Sequence, residues 1–240
     1  FVVLWRERIS SREGAIALVS GGLVAAWAVL AIELARAGSF QPAAGEAFPP
    51  LGRSLVLTLV AMITCLGISA SLRGLLSRQS SLIRLHLWRF LGLVFLILMA
   101  RRQLPALFAL PAGIGDILIA ATAPWIAHGI DTPRGRRRAI IWNLLGMTDL
   151  VVAVGLGITT NPGAAHVFNT TPSSEILTRF PMALVPAFLV PLALTLHGVS
   201  LWQLFGRKWA RRSVERRNVS RGLTGPAGEV WRPAPHSSRS

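Results

Sequence analysis

The chain has 240 residues, of which 52% are hydrophobic and only 15% are charged, and its formal net charge is +15. Soluble domains usually carry about 25% charged residues, so this composition argues against a soluble globular protein. In a soluble chain the positive charge would indicate nucleic-acid binding. Here basic stretches alternate with long apolar segments, which argues against a nucleic-acid partner and indicates a membrane protein whose basic loops meet anionic lipid headgroups.

Six apolar segments are each close to the roughly 20 residues with which a helix crosses the hydrocarbon of a bilayer. Because the backbone must satisfy its own hydrogen bonds in lipid, all six are predicted to be helices. The fold class is therefore an all-α integral membrane protein, with a six-transmembrane-helix bundle over 1–206 and a basic, partly disordered cytoplasmic tail over 207–240. The predicted spans are 14–34, 54–72, 85–100, 105–128, 139–158 and 181–205.

The distribution of arginine predicts the orientation of the bundle. Alternate loops, beginning with the segment before the first span and ending with the tail, are richer in arginine than the opposite set. Since arginine-rich loops stay in the cytoplasm, both termini are predicted to be cytoplasmic, and the pair Arg101 and Arg102 runs against this assignment. Basic charge comes from arginine except at Lys208, and tyrosine is absent. This bias fits a GC-rich bacterial genome and hence a bacterial inner membrane.

The first span could be a cleaved signal sequence, and the second span contains a cysteine. The first apolar segment ends near Ala35-Arg36-Ala37, which resembles a signal-peptidase site. The segment is long for a signal sequence and carries Glu33 beside the supposed site, so we predict that it is retained as a span. The single cysteine, Cys65 in the second span, excludes an internal disulfide and argues against a cysteine-based metal site.

Arg89 lies four residues into the predicted third span, at its cytoplasmic end. Its long stem can snorkel to the headgroups, which is the favoured interpretation. Alternatively it can turn inward towards Asn143, at a similar depth on the fifth span. A direct bridge from Arg89 to the acidic residues of the fourth and fifth spans is not predicted, since the side chain would have to reach about 15 Å deeper.

Asp116 and Asp149 lie in the middle of apolar segments, and each fits the pattern Gly-x-x-Asp followed by three aliphatic residues and alanine. At about 1.5 Å per residue both lie near the bilayer midplane, on consecutive antiparallel spans. A carboxyl group in hydrocarbon costs several kcal/mol unless a partner or water compensates, so such residues usually line ion or substrate sites. Gly113 and Gly146 lie on the same faces and allow the helices to approach, so the two carboxyls could face each other.

Two interpretations of these acids remain open. Two carboxyls that are close together in a low dielectric cannot both ionise easily, which suits the binding of a proton or a cation. Alternatively, each acid only forms a polar contact that locks the bundle. Pro111 in the fourth span and three prolines in the sixth free backbone carbonyls, which can line an ion site or simply bend the helix.

Three histidines in the cytoplasmic half of the bundle, His86, His128 and His197, are candidates for haem ligands. No two of them share a helix at a metal-like spacing, so no cofactor and no metal site are predicted, and haem stays an alternative. His197, inside the sixth span, is the best candidate of the three. Its other interpretation is a neutral imidazole that is hydrogen-bonded to a neighbouring helix.

The leading functional hypothesis is a small permease or proton- or cation-coupled carrier. Asp116 and Asp149 would bind the ion, Asn143 and His197 would line the path, and Arg89 is a further candidate. A second hypothesis is a non-catalytic subunit that stabilises a partner membrane protein or a homo-oligomer. A third is a membrane enzyme or haem redox protein, although no phosphate loop, nucleophile elbow or zinc-protease helix is present, so an enzyme is not predicted. The expected partners are the bilayer and anionic lipids at the basic tail.

Overall fold

The computed structural model describes residues 11–42, 49–68, 78–163 and 165–220, and these residues are helical with short connections and no strand. The predicted tail beyond Ser220 lies outside the described residues, as do the side chains after Gly206 and that of Cys65. In chain order the long helices are α1 (Ser11–Arg36), α2 (Pro50–Ile68), α3 (Gln79–Ala100), α4 (Ala106–His128), α5 (Pro133–Thr159) and α6 (Val190–Ser220).

Four helices in the described part of the chain are long and apolar enough to cross a membrane. They are Gln79–Ala100, Ala106–His128, Pro133–Thr159 and Val185–Gly206. Large apolar side chains cover their outer surfaces; on α4, for example, Leu110, Ile114 and Leu118 are 42%, 46% and 57% exposed. An exposed apolar surface of this extent is suited to lipid and not to water. The chain is therefore a membrane protein, and the part of it that the structure describes is helical without strands.

The third long helix, α3, begins earlier than predicted and is not uniform. It consists of an α-helical turn (Gln79–Arg84), a 3₁₀ segment (Leu85–Gly92) and a second α-helical part (Leu93–Ala100). A 3₁₀ helix has three residues per turn, so side chains three apart lie on one edge. His86, Arg89 and Gly92 follow this spacing, and all three are buried. The 3₁₀ segment therefore presents histidine, arginine and glycine in line to the interior.

Helix α4 lies at the centre of the bundle, where it packs against all parts of α3 and against α5. The contact with α3 is close because glycines meet there: a Cβ on Gly113 would lie 3.0 Å from the carbonyl oxygen of Gly92 and 2.8 Å from Leu96 Cδ2. Where α3 ends and α4 begins, Phe95 and Phe108 pack edge to face with ring centroids 5.3 Å apart. Small residues in the middle and aromatic residues at the end thus hold the two helices together.

Helix α5 also begins earlier than predicted, at Pro133 and not at 139. Thr132 caps it, because its Oγ1 accepts a hydrogen bond from the backbone N–H of Gly135 at 2.9 Å, and proline occupies the first helical position. The basic residues between 133 and 139, which the prediction left in the loop before the span, therefore belong to the first turns of α5. Among them, the Arg138 guanidinium lies 4.9 Å above the ring of Trp125 on α4, which ties the two helix ends together.

The entrance to α6 is less regular than the predicted span 181–205. After α5 the chain forms a 3₁₀ turn (Glu175–Thr178) and then a π turn (Val185–Leu189), and regular α-helix begins at Val190. The predicted span contains three prolines: Pro181 lies before the π turn, Pro186 inside it and Pro191 in the first turn of α6. The prolines therefore shape the start of the helix and do not bend its middle. Helix α2 packs against the π turn.

Candidate functional site: a buried arginine between two aspartates

The side chain of Arg89 is fully buried and joins four helices. From α3, its Nε donates a hydrogen bond to Asp116 Oδ1 on α4 at 2.6 Å, and its Nη2 donates to Asp149 Oδ2 on α5. Its third nitrogen, Nη1, lies 3.1 Å from Nε2 of His197 on α6. All these residues belong to the compact unit that ends at Leu201. The three residues Arg89, Asp116 and Asp149 are called the charged triad below.

This position of Arg89 contradicts the prediction that it snorkels and cannot reach the acids. The predicted third span began at 85, whereas the helix begins at Gln79, so Arg89 is the eleventh of 22 residues and not the fifth. The 3₁₀ segment also rises about 2.0 Å per residue in place of about 1.5 Å, which carries the side chain deeper. Asp116 is the eleventh of 23 residues in α4, so arginine and acid meet at the same level. The alternative interpretation was an inward contact with Asn143. In the structure His197 lies between the two residues and is within hydrogen-bonding distance of both.

Both acids point into the bundle, and 14% and 16% of the side chains of Asp116 and Asp149 remain exposed. Glycines on the neighbouring helices make room for them. A Cβ on Gly92 would collide with Asp116, and one on Gly115 would collide with the carboxylate of Asp149. Whether the two acids meet was left open by the sequence; in the structure they share a partner, because each carboxylate accepts a hydrogen bond from Arg89.

The charges of the triad do not balance when both carboxyls are ionised, since one guanidinium faces two carboxylates. Arg89 is enclosed, and each of its three nitrogens already has a neighbour. Each acid, in contrast, uses one oxygen for Arg89 and remains partly exposed. The atoms of the site that remain available to a further ligand are therefore carboxylate oxygens. Such a site can add a positive charge, because the side-chain atoms that stay partly exposed belong to the two acids and not to Arg89.

A chain of polar side chains continues from the charged triad along α5 and α6. His197 Nδ1 lies 2.9 Å from Asn143 Oδ1, and Asn143 Nδ2 donates to Ser200 Oγ at 2.9 Å. Ser200 Oγ in turn donates to Gln79 Oε1 at 2.9 Å. His197 and Asn143 are among the site residues predicted from the sequence, whereas Ser200 and Gln79 are not. Ser200 lies three residues after His197 on the same helical face, which is the signal that could have indicated it.

The two histidines of the interior form an aromatic cluster with Trp142. The rings of His86 and His197 stack with centroids 4.0 Å apart, and Trp142 lies 5.2 Å from each. Trp142 Nε1 donates to Thr122 Oγ1 at 2.9 Å, and His86 Nδ1 donates to the carbonyl oxygen of Leu82 at 3.1 Å. A Cβ on Gly146 would strike the ring of His197, so glycine is required beneath it. His197 is therefore packed against His86, Trp142 and Gly146.

The three candidate haem ligands occupy different surroundings. His86 and His197 are stacked, and both ring nitrogens of His197 already have partners within hydrogen-bonding distance. His128 is the exposed last residue of α4. Within the described ranges there is no group of three or more His, Cys, Asp or Glu side chains that could hold a metal ion.

The fold and the site together define a helical membrane protein with a charged triad in the middle of its membrane-spanning helices. Residues 49–205 match a family model described as Domain of unknown function (DUF8737). Because this match covers more than half of the chain, the protein belongs to that family. The matched range contains the charged triad and the whole polar chain. Comparison with curated proteins and with solved structures gives no match.

Proposed function

We propose that this protein is a small membrane carrier whose charged triad binds and releases a proton or a small cation. The observation that supports the proposal is the excess of negative charge around an enclosed arginine, with both acids partly exposed. Ionisable groups inside a membrane usually line ion or substrate pathways. In this proposal Asp116 and Asp149 receive the positive charge, and Arg89 is their permanent counter-ion.

A carrier must also convert ion binding into movement. The triad connects α3 to α4 and α5 through charge-assisted hydrogen bonds, which are among the strongest polar contacts in proteins. A proton or cation bound to one carboxylate reduces the negative charge that attracts Arg89 and weakens the attachment of one helix. Release of the ion restores the attachment. Ion occupancy therefore changes how firmly α4 and α5 are held to α3, and this is the coupling step of the proposed transport cycle.

The substitution Asp149→Asn tests the proposal with little risk to the fold. Asparagine keeps the shape of aspartate and can still accept a hydrogen bond from Arg89, while the net charge of the ionised triad rises from −1 to zero. Wild type and variant are reconstituted into vesicles that contain a pH-sensitive dye. A membrane potential that is negative inside is imposed with potassium and valinomycin. A panel of amino acids, sugars and organic cations is then added outside. A parallel series measures the uptake of radioactive sodium.

We expect proton or sodium influx above that of protein-free vesicles in the wild type, and influx at the protein-free level in Asp149→Asn. The control Asp131→Asn changes an exposed acid in the loop between α4 and α5 and should leave the influx unchanged. Equal influx in wild type and Asp149→Asn under every condition would rule out the proposed role of the triad.

The triad also supports a second candidate function, a non-catalytic subunit that stabilises a membrane complex. One arginine that connects three partner helices is well suited to lock a bundle into a single arrangement, and such locks are one use of buried charges. This candidate predicts that a second membrane protein co-purifies after cross-linking in native membranes. It also predicts that Asp149→Asn leaves that complex intact, whereas Arg89→Gln disrupts it.

We further propose six spans, with both termini in the cytoplasm of a bacterium and the bundle in its inner membrane. The helical lengths of α1 and α2, 26 and 19 residues, and the distribution of arginine between loops support this topology. Single cysteines placed on a Cys65→Ser background provide the test. A membrane-impermeant maleimide should label Ser173→Cys in intact cells and Asp131→Cys only after permeabilisation; the reverse pattern would contradict the orientation.

A further inference from the structure

The position of every proton around His197 follows from its neighbour Arg89. A guanidinium group has only donors, and its Nη1 lies 3.1 Å from His197 Nε2. The imidazole must therefore present a lone pair at Nε2. A proton on that nitrogen would set two donors against each other inside the bundle, where water cannot separate them, because both side chains are fully buried.

The other imidazole nitrogen then carries the proton and begins a directed series of hydrogen bonds. His197 Nδ1 donates to Asn143 Oδ1 at 2.9 Å, which leaves Asn143 Nδ2 to donate to the Ala139 carbonyl at 2.8 Å and to Ser200 Oγ at 2.9 Å. Ser200 Oγ donates to Gln79 Oε1 at 2.9 Å, and Gln79 Nε2 donates back to the Ser200 carbonyl at 3.0 Å. Along the side chains every donor points away from Arg89.

This polar chain is unsuited to carry protons. A proton relay needs groups that accept a proton on one side and release one on the other, as hydroxyls, carboxyls, imidazoles and water do. The guanidinium of Arg89 and the carboxamides of Asn143 and Gln79 do not exchange protons in this way. The connection from the charged triad to the start of α3 is therefore interrupted at three points, although it is continuous in hydrogen bonds.

We infer that His197 is a positioning residue for the charged triad: held as a neutral imidazole with its proton on Nδ1, it is the third acceptor that keeps Arg89 between Asp116 and Asp149. Asn143, Ser200 and Gln79 hold the imidazole in this state and do not line an ion path, which replaces the role that the sequence analysis expected for Asn143 and His197. That part of the inference which concerns ion binding rests on the proposed function; the state of the imidazole does not.

The surroundings of the ring support this role. His86 stacks on His197 at 4.0 Å, Trp142 lies 5.2 Å away, and Gly146 lies so close that a Cβ there would be 2.4 Å from Cε1 and Nε2 of the ring. His86 has its own Nδ1 proton on the Leu82 carbonyl, and its Nε2 has no hydrogen-bond partner among the residues that the structure describes. Packing and hydrogen bonds thus select the same orientation of His197.

Solid-state NMR of the ¹⁵N-labelled full chain in lipid tests the state of the ring without reference to transport. The His197 signals are assigned by sequential backbone correlations. The expected result at neutral pH is a neutral ring with a bonded proton on Nδ1 and none on Nε2. A charged ring, or a proton on Nε2, would overturn the inference even if ion influx is present.

Two substitutions of His197 test the positioning role by rescue. Glutamine places its amide oxygen near the level of Nε2, where it can accept from Arg89, whereas asparagine reaches only the level of Nδ1 and retains only the contact with Asn143. In the vesicle assay His197→Gln should keep proton or sodium influx within about twofold of the wild type, and His197→Asn should lose about tenfold or more, the effect of one charge-assisted hydrogen bond.

The two assays separate the possible failures. Influx that is equally low, or equally high, in the two variants would overturn the positioning role. If wild-type vesicles show no influx, the proposed function fails, and the NMR result alone decides whether His197 holds Arg89 as inferred. Thermal unfolding of both purified variants in detergent confirms that the comparison is made between folded proteins.

Discussion

Replacing Arg89 with glutamine should strongly lower the free energy of unfolding of the bundle. The side chain is 0% exposed and makes three contacts, of which the bond to Asp116 is 2.6 Å long. Its removal leaves two carboxyls without a counter-charge. Breaking a buried ion pair by removal of one partner costs about 3–5 kcal/mol. Because both acids keep some exposure to their surroundings, we expect the lower end of this range, about 3 kcal/mol.

A triple variant separates charge from packing. Arg89→Gln combined with Asp116→Asn and Asp149→Asn removes all three charges and retains amides that can hydrogen-bond to one another. If the loss in Arg89→Gln comes from uncompensated charge, the triple variant should recover most of it. The control is Arg84→Gln, an exposed arginine on the same helix, which should change stability by no more than about 0.5 kcal/mol.

The measurement is equilibrium unfolding in mixed micelles, with increasing fractions of sodium dodecyl sulfate and helix content followed by circular dichroism. Wild type, Arg89→Gln, the triple variant and Arg84→Gln are compared under identical conditions. An Arg89→Gln variant within about 0.5 kcal/mol of the wild type would refute the reasoning, since surface substitutions have effects of that size. A triple variant as unstable as the single variant would show that packing, and not charge, accounts for the loss.

Three further predictions concern the packing around the triad. Gly146→Ala should lower the free energy of unfolding by about 1–3 kcal/mol, because the new methyl group collides with the imidazole of His197. The control Gly155→Ala on the same helix places its methyl group in open space and should not destabilise the protein. Gly113→Ala should cost a similar amount, because its Cβ would press on a leucine and a glycine carbonyl of α3. In a double-mutant cycle, Trp142→Phe and Thr122→Val should show a coupling of about 0.5–1.5 kcal/mol from their shared hydrogen bond, and no coupling would contradict the contact. All three are measured by the same unfolding assay.

Some of the site was predictable from the sequence because the argument depended only on position along a helix. Asp116 and Asp149 lie inside long apolar segments, and a carboxyl group there needs a partner. The sequence also predicted that the small size of Gly113 allows a close helix contact, but this contact is with Gly92 and Leu96 of α3 and not with the fifth helix. For His197, the hydrogen bond to a neighbouring helix was one of the two interpretations offered, and it is present, with Asn143 as the partner.

The partner of the acids was not predictable, because the depth of Arg89 depended on where its helix begins. The polar residues from Gln79 onwards resemble a loop in the sequence, yet Gln79 is buried and hydrogen-bonded to Ser200 on α6. That contact extends α3 by six residues relative to the predicted span and moves Arg89 to the middle of the helix. A polar side chain at a helix end is stabilised by a partner 121 residues away, which no local pattern contains.

The sequence by itself determined that this chain enters a membrane and crosses it as helices, because apolar segments of this length avoid water and a backbone in lipid must form its hydrogen bonds within each segment. It also determined that ionisable residues lie far from the ends of those segments. Only the tertiary structure decided which of them meet. Contacts of about 3 Å between side chains depend on how closely the helices pack and on the level at which their residues meet. Glycines, the 3₁₀ segment of α3 and polar partners on four helices decide both.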